Sequence, residues 1–233
     1  MSQDKLLILI STYNGKNNLP LLLDKAREVL KKHGICYKFL LVDDGSRDGS
    51  QQVLNQMASE NKDINVLCFQ ENVGQQENLR RGLQGIEVMP ESVVTMDDDG
   101  QHSPEWIPEM ISKLREGYDL VYGIPEWSSG ERPFFIRILG SALRDLLFQK
   151  VLHVPKDVKV SAYRIMTGTL AKRLAASSRP FFYLSAEAFQ QPIQASNLFY
   201  PYRKRSVGVS SYSIKKLVQL YVKIWYHYGW KKY

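Results

Sequence analysis

The chain has only two cysteines in 233 residues, Cys36 and Cys68. Two thiols so far apart make neither a disulfide framework nor a zinc-ligand spacing. Each lies in or beside an apolar stretch, Gly34–Val42 and Ile64–Phe69, so both are expected as reduced core thiols. No apolar run approaches the ~20 residues that span a bilayer. Internal repeats, low-complexity segments and a linker that would split the chain are also absent. Met1-Ser2-Gln3-Asp4 leads straight into a strand-like run, without the charged and apolar regions of a secretory signal. The expectation is a cytoplasmic protein whose contact with a membrane is peripheral, at its inner face.

What is present is an ordinary globular composition, 44% hydrophobic and 24% charged, with a formal net charge of +7. The length suits one large α/β domain with a real core. A basic balance favours anionic partners: nucleic acid, phosphorylated substrates or a negatively charged membrane surface. The basic residues concentrate late in the chain and no nucleic-acid motif accompanies them, so nucleic acid ranks last.

Four short apolar runs, Lys5–Ile10, Tyr37–Val42, Ile64–Phe69 and Ser92–Met96, alternate with helical segments of about a dozen residues. Leu19 to Lys32 carries helical spacing, and Gly74 to Ile86 reads as another helix. Runs apolar on both faces are expected as parallel strands buried between helices, joined by right-handed crossovers into a Rossmann-like, mostly parallel sheet. Beyond residue 104 the pattern loosens. Helices are expected over Trp106–Leu114, Phe134–Val151 and Leu170–Ala176. Strands are expected over Asp119–Gly123, Val158–Met166 and Ser196–Tyr202. The domain is read as 1–212. It is followed at 213–233 by a basic, aromatic helix in which Ile214, Leu217, Val218, Tyr221, Ile224, Trp225 and Tyr228 recur at helical spacing among lysines. Such a helix suits a headgroup interface. It equally suits docking on the protein's own core.

Ligands of open α/β sheets sit at the carboxyl ends of the strands. Every polar cluster in the first half of the chain falls at such an end: Ser11-Thr12-Tyr13-Asn14, Asp43-Asp44-Gly45-Ser46, Asn72-Val73-Gly74-Gln75 and Asp97-Asp98-Asp99-Gly100-Gln101. Three consecutive carboxylates repel one another unless a cation or solvent offsets them. Alternation puts Asp97 and Asp99 on one side and Asp98 on the other. Two carboxylates and the Gln101 amide oxygen suit a hard cation, Mg²⁺ or Mn²⁺, with positions left for water and substrate phosphates. An acidic turn in solvent would read the same way. Asp43 and Asp44 are placed to accept from a ribose or a base, while Ser46 or Asp48 can cap the helix that follows. Gly74 permits a tight turn into a helix whose N-terminus faces phosphate.

These four segments, in this order and approximate spacing, resemble the family 2 glycosyltransferases of the GT-A fold. Met96-Asp97-Asp98-Asp99-Gly100-Gln101-His102-x-Pro104-Glu105 and Arg205-x-x-Gly208-x-Ser210-Ser211-Tyr212-Ser213-x-x-Lys216-Leu217 are similar to segments of the subgroup that transfers sugars to dolichyl or undecaprenyl phosphate. The resemblance implies an inverting, metal-dependent enzyme that takes a UDP- or GDP-linked sugar and passes it to a polyprenyl phosphate or another lipid-linked acceptor. It implies Asp97, Asp99 and Gln101 as metal ligands, with Asp99, Arg137 and Arg205 acting in catalysis. Arg137 and Arg205 would face the donor diphosphate or the acceptor phosphate. Ser11, Thr12, Tyr13, Asn14, Asp43, Asp44, Asn72, Gly74, Gln75, Asp97 and Asp98 would line the nucleotide-sugar site. A basic pocket of Arg137, Arg144, Arg164, Arg203, Lys204 and Arg205 would hold an acceptor phosphate. The alternative acceptor is a sugar hydroxyl of capsule or lipopolysaccharide, for which Glu187 is the candidate base. A membrane protein partner would supply the missing anchor. The sequence departs from the family pattern at Ser11, usually Pro, at Gly15, usually Glu, and over Lys159–Arg164, where an expected acid is absent or displaced to Asp157.

Overall fold

The computed structural model describes residues 6–126, 149–152, 154–201 and 214–229. Seven strands form one sheet in the order β3-β2-β1-β4-β6-β5-β7. They are β1 (Leu6–Thr12), β2 (Tyr37–Asp44), β3 (Ile64–Phe69), β4 (Ser92–Asp97), β5 (Leu120–Glu126), β6 (Arg164–Thr167) and β7 (Ala195–Pro201). The helices are α1 (Leu19–Lys32), α2 (Ser50–Glu60), α3 (Gln75–Gln84), α4 (Ile107–Leu114), α5 (Gly168–Ala175), α6 (Leu184–Ala188) and α7 (Ile214–Tyr228).

Strands β3, β2, β1 and β4 run parallel, as the apolar runs predict, and β5 and β7 pair parallel as well. Only β6 runs against its neighbours, pairing antiparallel with both β4 and β5. The sheet is therefore the mostly parallel α/β sheet expected, with one reversed strand inserted. Its consequence is positional. Because β6 is reversed, its first residue, Arg164, lies at the same edge as the last residues of β4 and β5, and pairs in register with Thr95 and Tyr122.

Helices cover both faces. On one, α1, α2 and α4 contribute Leu19, Leu23, Leu30, Leu54, Ile107 and Met110 to a core with Ile8, Ile10, Phe39 and Leu41. On the other, α3, α5, α6 and α7 pack Leu79, Leu83, Leu170, Leu174, Leu184, Ile224 and Tyr228 against Leu7, Leu9, Val42 and Tyr122. Odd and even residues of β1 thus enter different cores, the signature of a strand buried on both faces.

Two expectations need correction. The strand expected over Val158–Met166 is confined to Arg164–Thr167. Upstream, the Asn197 side chain of β7 accepts from Lys159 N and donates to Lys159 O, both at 2.7 Å, so a side chain satisfies the backbone there in place of a ladder. The thiols are not core thiols: Cys36 is exposed, in the connection between α1 and β2, and Cys68 is half-buried on edge strand β3. The helix expected over Phe134–Val151 lies outside the described residues except at its last positions. Helix α7 docks on the body through buried Ile224 and Tyr228, while Val218, Val222, Trp225 and Tyr226 remain exposed. No helix among the described residues is long and apolar enough to cross a membrane.

Candidate active site

The four strand-end clusters meet at one edge of the sheet, and two of them are stitched to each other. After β1, Asn14 takes a left-handed conformation with φ 57°. Its N–H donates to Ser46 Oγ at 2.8 Å, and its own Oδ1 accepts from Arg47 N at 3.0 Å. Lys16 adds a third tie, from its ammonium to Asp48 O at 2.5 Å. Asn14 is thus a clamp between the loops after β1 and β2. Asp48 Oδ1 accepts from Ser50 N at 3.0 Å and from Ser50 Oγ at 2.6 Å, which fixes the start of α2.

Asp43 and Asp44 are both buried, and both serve the protein's own backbone. Asp43 accepts from Ser46 N at 2.9 Å, from the Ser46 hydroxyl, and from Gln51 Nε2 at 2.9 Å. Asp44 accepts from Val73 N at 2.9 Å and Gly74 N at 2.8 Å, on the loop leading into α3. Burial pushes the Asp44 carboxyl up from the ordinary carboxylate range, and these two backbone bonds oppose the shift. The sharp turn at Gly45, φ 71°, lets that loop lie close: a Cβ there would meet Glu71 C at 2.8 Å and Asn72 N at 2.9 Å. The amides of Val73 and Gly74 are therefore held by Asp44 and do not point at a ligand.

This arrangement sets a test. Asp44→Asn replaces one accepting oxygen by an NH₂ group that faces a backbone N–H, leaving a buried donor unpaired. Unfolding in urea should show a loss of about 2 kcal/mol with an unchanged slope. An Asn variant as stable as the wild type would mean that the loop does not depend on this carboxylate.

The acidic triplet closes β4. Strand pairing ends at Asp97, and Asp98, Asp99 and Gly100 form a turn, with Gly100 at φ 75°. Asp97 Oδ1 accepts from the Gln75 side chain at 2.5 Å, and Asp97 N donates to His102 Nδ1 at 2.9 Å. His102 Nδ1 also lies 3.8 Å from Asp97 Oδ2, but a nitrogen that accepts an N–H carries no proton there, so this contact is not an ion pair through Nδ1. Asp98 turns the other way, to accept from the Thr12 hydroxyl at 2.5 Å. Burial pushes the Asp98 carboxyl up; the Thr12 bond pulls it back, and Asp97 and Asp99 push it up further. Asp99 Oδ1 accepts from Gln101 N at 3.0 Å. The expected alternation supposes an extended chain, but the strand ends at Asp97 and Asp98 and Asp99 lie in the turn, so alternation does not set their directions.

Beneath this turn lies an aromatic floor. His102 stacks on Tyr163 at 5.1 Å, Tyr163 meets Tyr200 edge-on at 5.9 Å, and Trp106 stacks on Tyr200 at 5.8 Å. The Tyr163 hydroxyl donates to Ser103 O at 2.9 Å. Burial, with Asp97 and Asp99 nearby, pushes the Tyr200 hydroxyl up to about 12.

The remaining predicted residues divide. Tyr13 is exposed beside the loops. Ser11 Oγ accepts from Asn78 Nδ2 at 2.8 Å; the same amide donates to Val42 O, so buried Asn78 ties α3 to β1 and β2. Arg164 lines no open pocket. It is buried and donates to Thr95 Oγ1, Ala162 O and Ser185 Oγ. Glu187 is neither a surface residue nor an open base: its Oε2 lies 3.1 Å from Arg179 Nε, a charge contact whose N–H is not aimed at the oxygen. Arg137, Arg144, Arg203, Lys204 and Arg205 lie outside the described residues. No group of three or more His, Cys, Asp and Glu residues with metal-holding geometry occurs among the described residues. The expected set has only two carboxylates; with the Gln101 amide it is an all-oxygen set, which fits a hard cation.

A mostly parallel sheet flanked by helices, with a carboxylate turn at the end of its fourth strand and clamped loops beside it, is an architecture of the GT-A type. The sequence pattern of the family described as Glycosyl transferase family 2 matches residues 7–175, and the chain belongs to that family. Among curated relatives, the undecaprenyl-phosphate 4-deoxy-4-formamido-L-arabinose transferase of Pseudomonas fluorescens is 29% identical over 219 residues, covering 91% of this chain and 61% of the relative. The transferase of the same name from Yersinia enterocolitica is 26% identical, covering 93% and 65%. That from Pectobacterium atrosepticum is 34% identical over 115 residues, covering 49% and 35%. The chain thus spans less than two thirds of the length of these relatives. Among solved structures, glucosyl-3-phosphoglycerate synthase from Mycobacterium tuberculosis with Mn²⁺, UDP and phosphoglyceric acid matches with a TM-score of 0.59 at 17% identity, covering 96% of this chain and 76% of that one. The mannosyltransferase PcManGT from Pyrobaculum calidifontis, with GDP-Man and Mn²⁺, matches with a TM-score of 0.57 at 16% identity, covering 88% and 59%. At these identities the likeness is one of fold.

Proposed function

We propose that the chain takes a sugar from a UDP- or GDP-linked donor and transfers it, with inversion, to a polyprenyl phosphate. The observation that carries this reading is the Asp97-x-Asp99 turn at the ligand edge of the sheet, in a chain whose relatives are named as undecaprenyl-phosphate sugar transferases. Asp97, Asp99 and Gln101 would hold Mg²⁺ or Mn²⁺. Such a cation neutralises charge on the departing diphosphate. The loops after β1, β2 and β3 would wall the nucleotide, with exposed Tyr13 against the base and the clamp of Asn14, Asp43 and Asp44 keeping the walls in place.

The acceptor phosphate oxygen attacks C1 of the sugar from the side opposite the diphosphate. The C1–O bond to the diphosphate breaks, and the nucleoside diphosphate leaves with the bonding pair. The attacking oxygen is already an anion near neutral pH, so no general base is needed. The engagement of Glu187 with Arg179 agrees with an acceptor that does not call on it. A phosphate acceptor needs cations instead. Residues 188–233 carry eight Lys and Arg and no Asp or Glu, against 23 basic and 24 acidic residues before them. The whole positive excess therefore lies in the last part of the chain. We place the catalytic domain at 1–212 and assign 213–233 to an anionic bilayer surface, with Arg137 and Arg205 toward the phosphates.

The experiment is a panel of UDP- and GDP-sugars with Mn²⁺, with and without undecaprenyl phosphate in detergent. Formation of a lipid-linked sugar only when the lipid is present supports the reading and names the donor. Donor hydrolysis indifferent to the lipid would overturn the acceptor assignment, and no consumption of any donor would overturn the donor assignment too.

A further inference from the structure

Helix α7 docks on the body through Ile224 and Tyr228, and the Tyr228 hydroxyl ties it to the segment that leads into α6. Tyr228 is 2% exposed; its O–H donates to Phe181 O and accepts from Tyr183 N, both at 3.1 Å. Arg179 lies over the Tyr228 ring at 5.1 Å and reaches His227 O and Gln190 Oε1, each at 3.3 Å. Tyr183 is the residue immediately before α6, so the end of α7 fixes the start of α6.

Two routes lead inward from there. Leu184 N donates to Gln76 Oε1 at 3.0 Å, in the first turn of α3, and the adjacent Gln75 amide donates to Asp97. Ser185 Oγ accepts from Arg164 Nη1 at 2.8 Å, and Arg164 Nε donates to Thr95 Oγ1 at 3.1 Å. Thr95 precedes Asp97 by two residues on the same face of β4. Ser185, Arg164 and Thr95 are 1%, 2% and 1% exposed. The first route ends on the Asp97 carboxylate, and the second ends on Thr95, two residues before it on β4.

The hub of the second route is costly. Among the described residues Arg164 makes no ion pair, and its hydrogen-bond partners are hydroxyls and a carbonyl. A buried guanidinium without a carboxylate is less stable than an apolar side chain of similar size. Its planar fork, however, can hold three segments at fixed relative positions, which an apolar residue cannot. Stability does not account for Arg164; positioning does.

We propose that Tyr228 is a positioning residue for the candidate donor site. Its hydroxyl sets the start of α6, and α6, through Gln76 and Arg164, sets where the Asp97 carboxylate stands. Docking of the terminal helix and the geometry of the acidic turn are then one mechanical unit. The functional half of this inference rests on the reading of Asp97 and Asp99 as the donor site.

The test uses the full chain with Tyr228→Phe, Ser185→Ala and the double variant. Ile64→Val, on the far edge of the sheet, serves as a control with a similar small loss of stability. Amide exchange over residues 95–102 is measured, together with Mn²⁺-dependent binding of UDP and GDP. Each single variant should speed exchange in that segment, and weaken nucleotide binding, about fivefold, the scale of one lost hydrogen bond. The control should change neither. Because Tyr228→Phe acts upstream of both routes and Ser185→Ala breaks only the second, the double should be no worse than Tyr228→Phe alone. Additive effects, or a lower melting temperature with exchange at 95–102 matching the control, would overturn the proposal. If the wild type binds neither nucleotide, the donor reading falls, while the exchange measurement still decides the coupling.

Discussion

Asp99→Ala is expected to lower Mn²⁺-dependent sugar transfer by about 10³-fold, the upper end of what one removed charge-stabilising group costs, with the fold intact. In the turn after β4, Asp99 Oδ1 accepts from Gln101 N. Losing such a bond costs about 1 kcal/mol, too little to unfold a domain of this size. Its expected chemical role is larger. Charge that develops on the leaving diphosphate must be met by a cation, and Asp97 alone, with one oxygen already given to Gln75, holds that cation poorly. Single-turnover transfer across a Mn²⁺ titration separates the two contributions. If saturating Mn²⁺ restores more than a tenth of the wild-type rate, Asp99 is not a principal ligand and the cation sits elsewhere. Asp98→Ala makes the contrast, because Asp98 is tied to the Thr12 hydroxyl and is not one of the expected metal ligands. Its effect should come through the loop after β1.

The first half of the fold was legible because β1, β2 and β4 are buried on both faces. Such strands read as unbroken apolar runs, and each run stops where an acidic or amide cluster begins, so Thr12, Asp44 and Asp97 mark strand ends to within a residue or two. The second half was not, and β6 shows why. Its four residues are too few for a period, and the apolar stretch before it is held by the Asn197 side chain, a partner that lies 38 residues along the chain. Cys36 was misjudged for a similar reason: its neighbours are apolar, but it sits in a connection rather than in the strand they begin. At the site, residue types and spacing located the acidic clusters but not what each acid touches. Asp43 and Asp44 are adjacent, alike and equally buried, yet one holds Ser46 and Gln51 while the other holds amides 29 and 30 residues away. Only the three-dimensional path of the loop after β3 makes that distinction. Arg164 was counted with the basic pocket because a cation in a basic chain reads as solvent-facing. Its burial follows from the reversal of β6, which no local pattern announces.

Gly15→Ala is the second substitution with a large expected effect, and its cause is the crowding of one spot. A Cβ on Gly15 would run into Thr12 Oγ1 and Asp98 Oδ2, the two atoms that make the hydrogen bond between the loops after β1 and β4. Here the missing side chain is the space that the Asp98 carboxyl fills. The added methyl group displaces that carboxyl from the Thr12 hydroxyl it accepts from. Overpacking of this kind costs about 1–3 kcal/mol. A carboxylate moved by about an ångström beside the reacting groups should also lower transfer about 10²-fold. The double variant Gly15→Ala with Asp98→Ala tests the cause. Removing the obstructing carboxyl makes room for the methyl group, so the double should regain most of the unfolding midpoint lost by Gly15→Ala alone. If the double is less stable than Gly15→Ala, or if Gly15→Ala melts with the wild type, the two loops do not meet at this point as described.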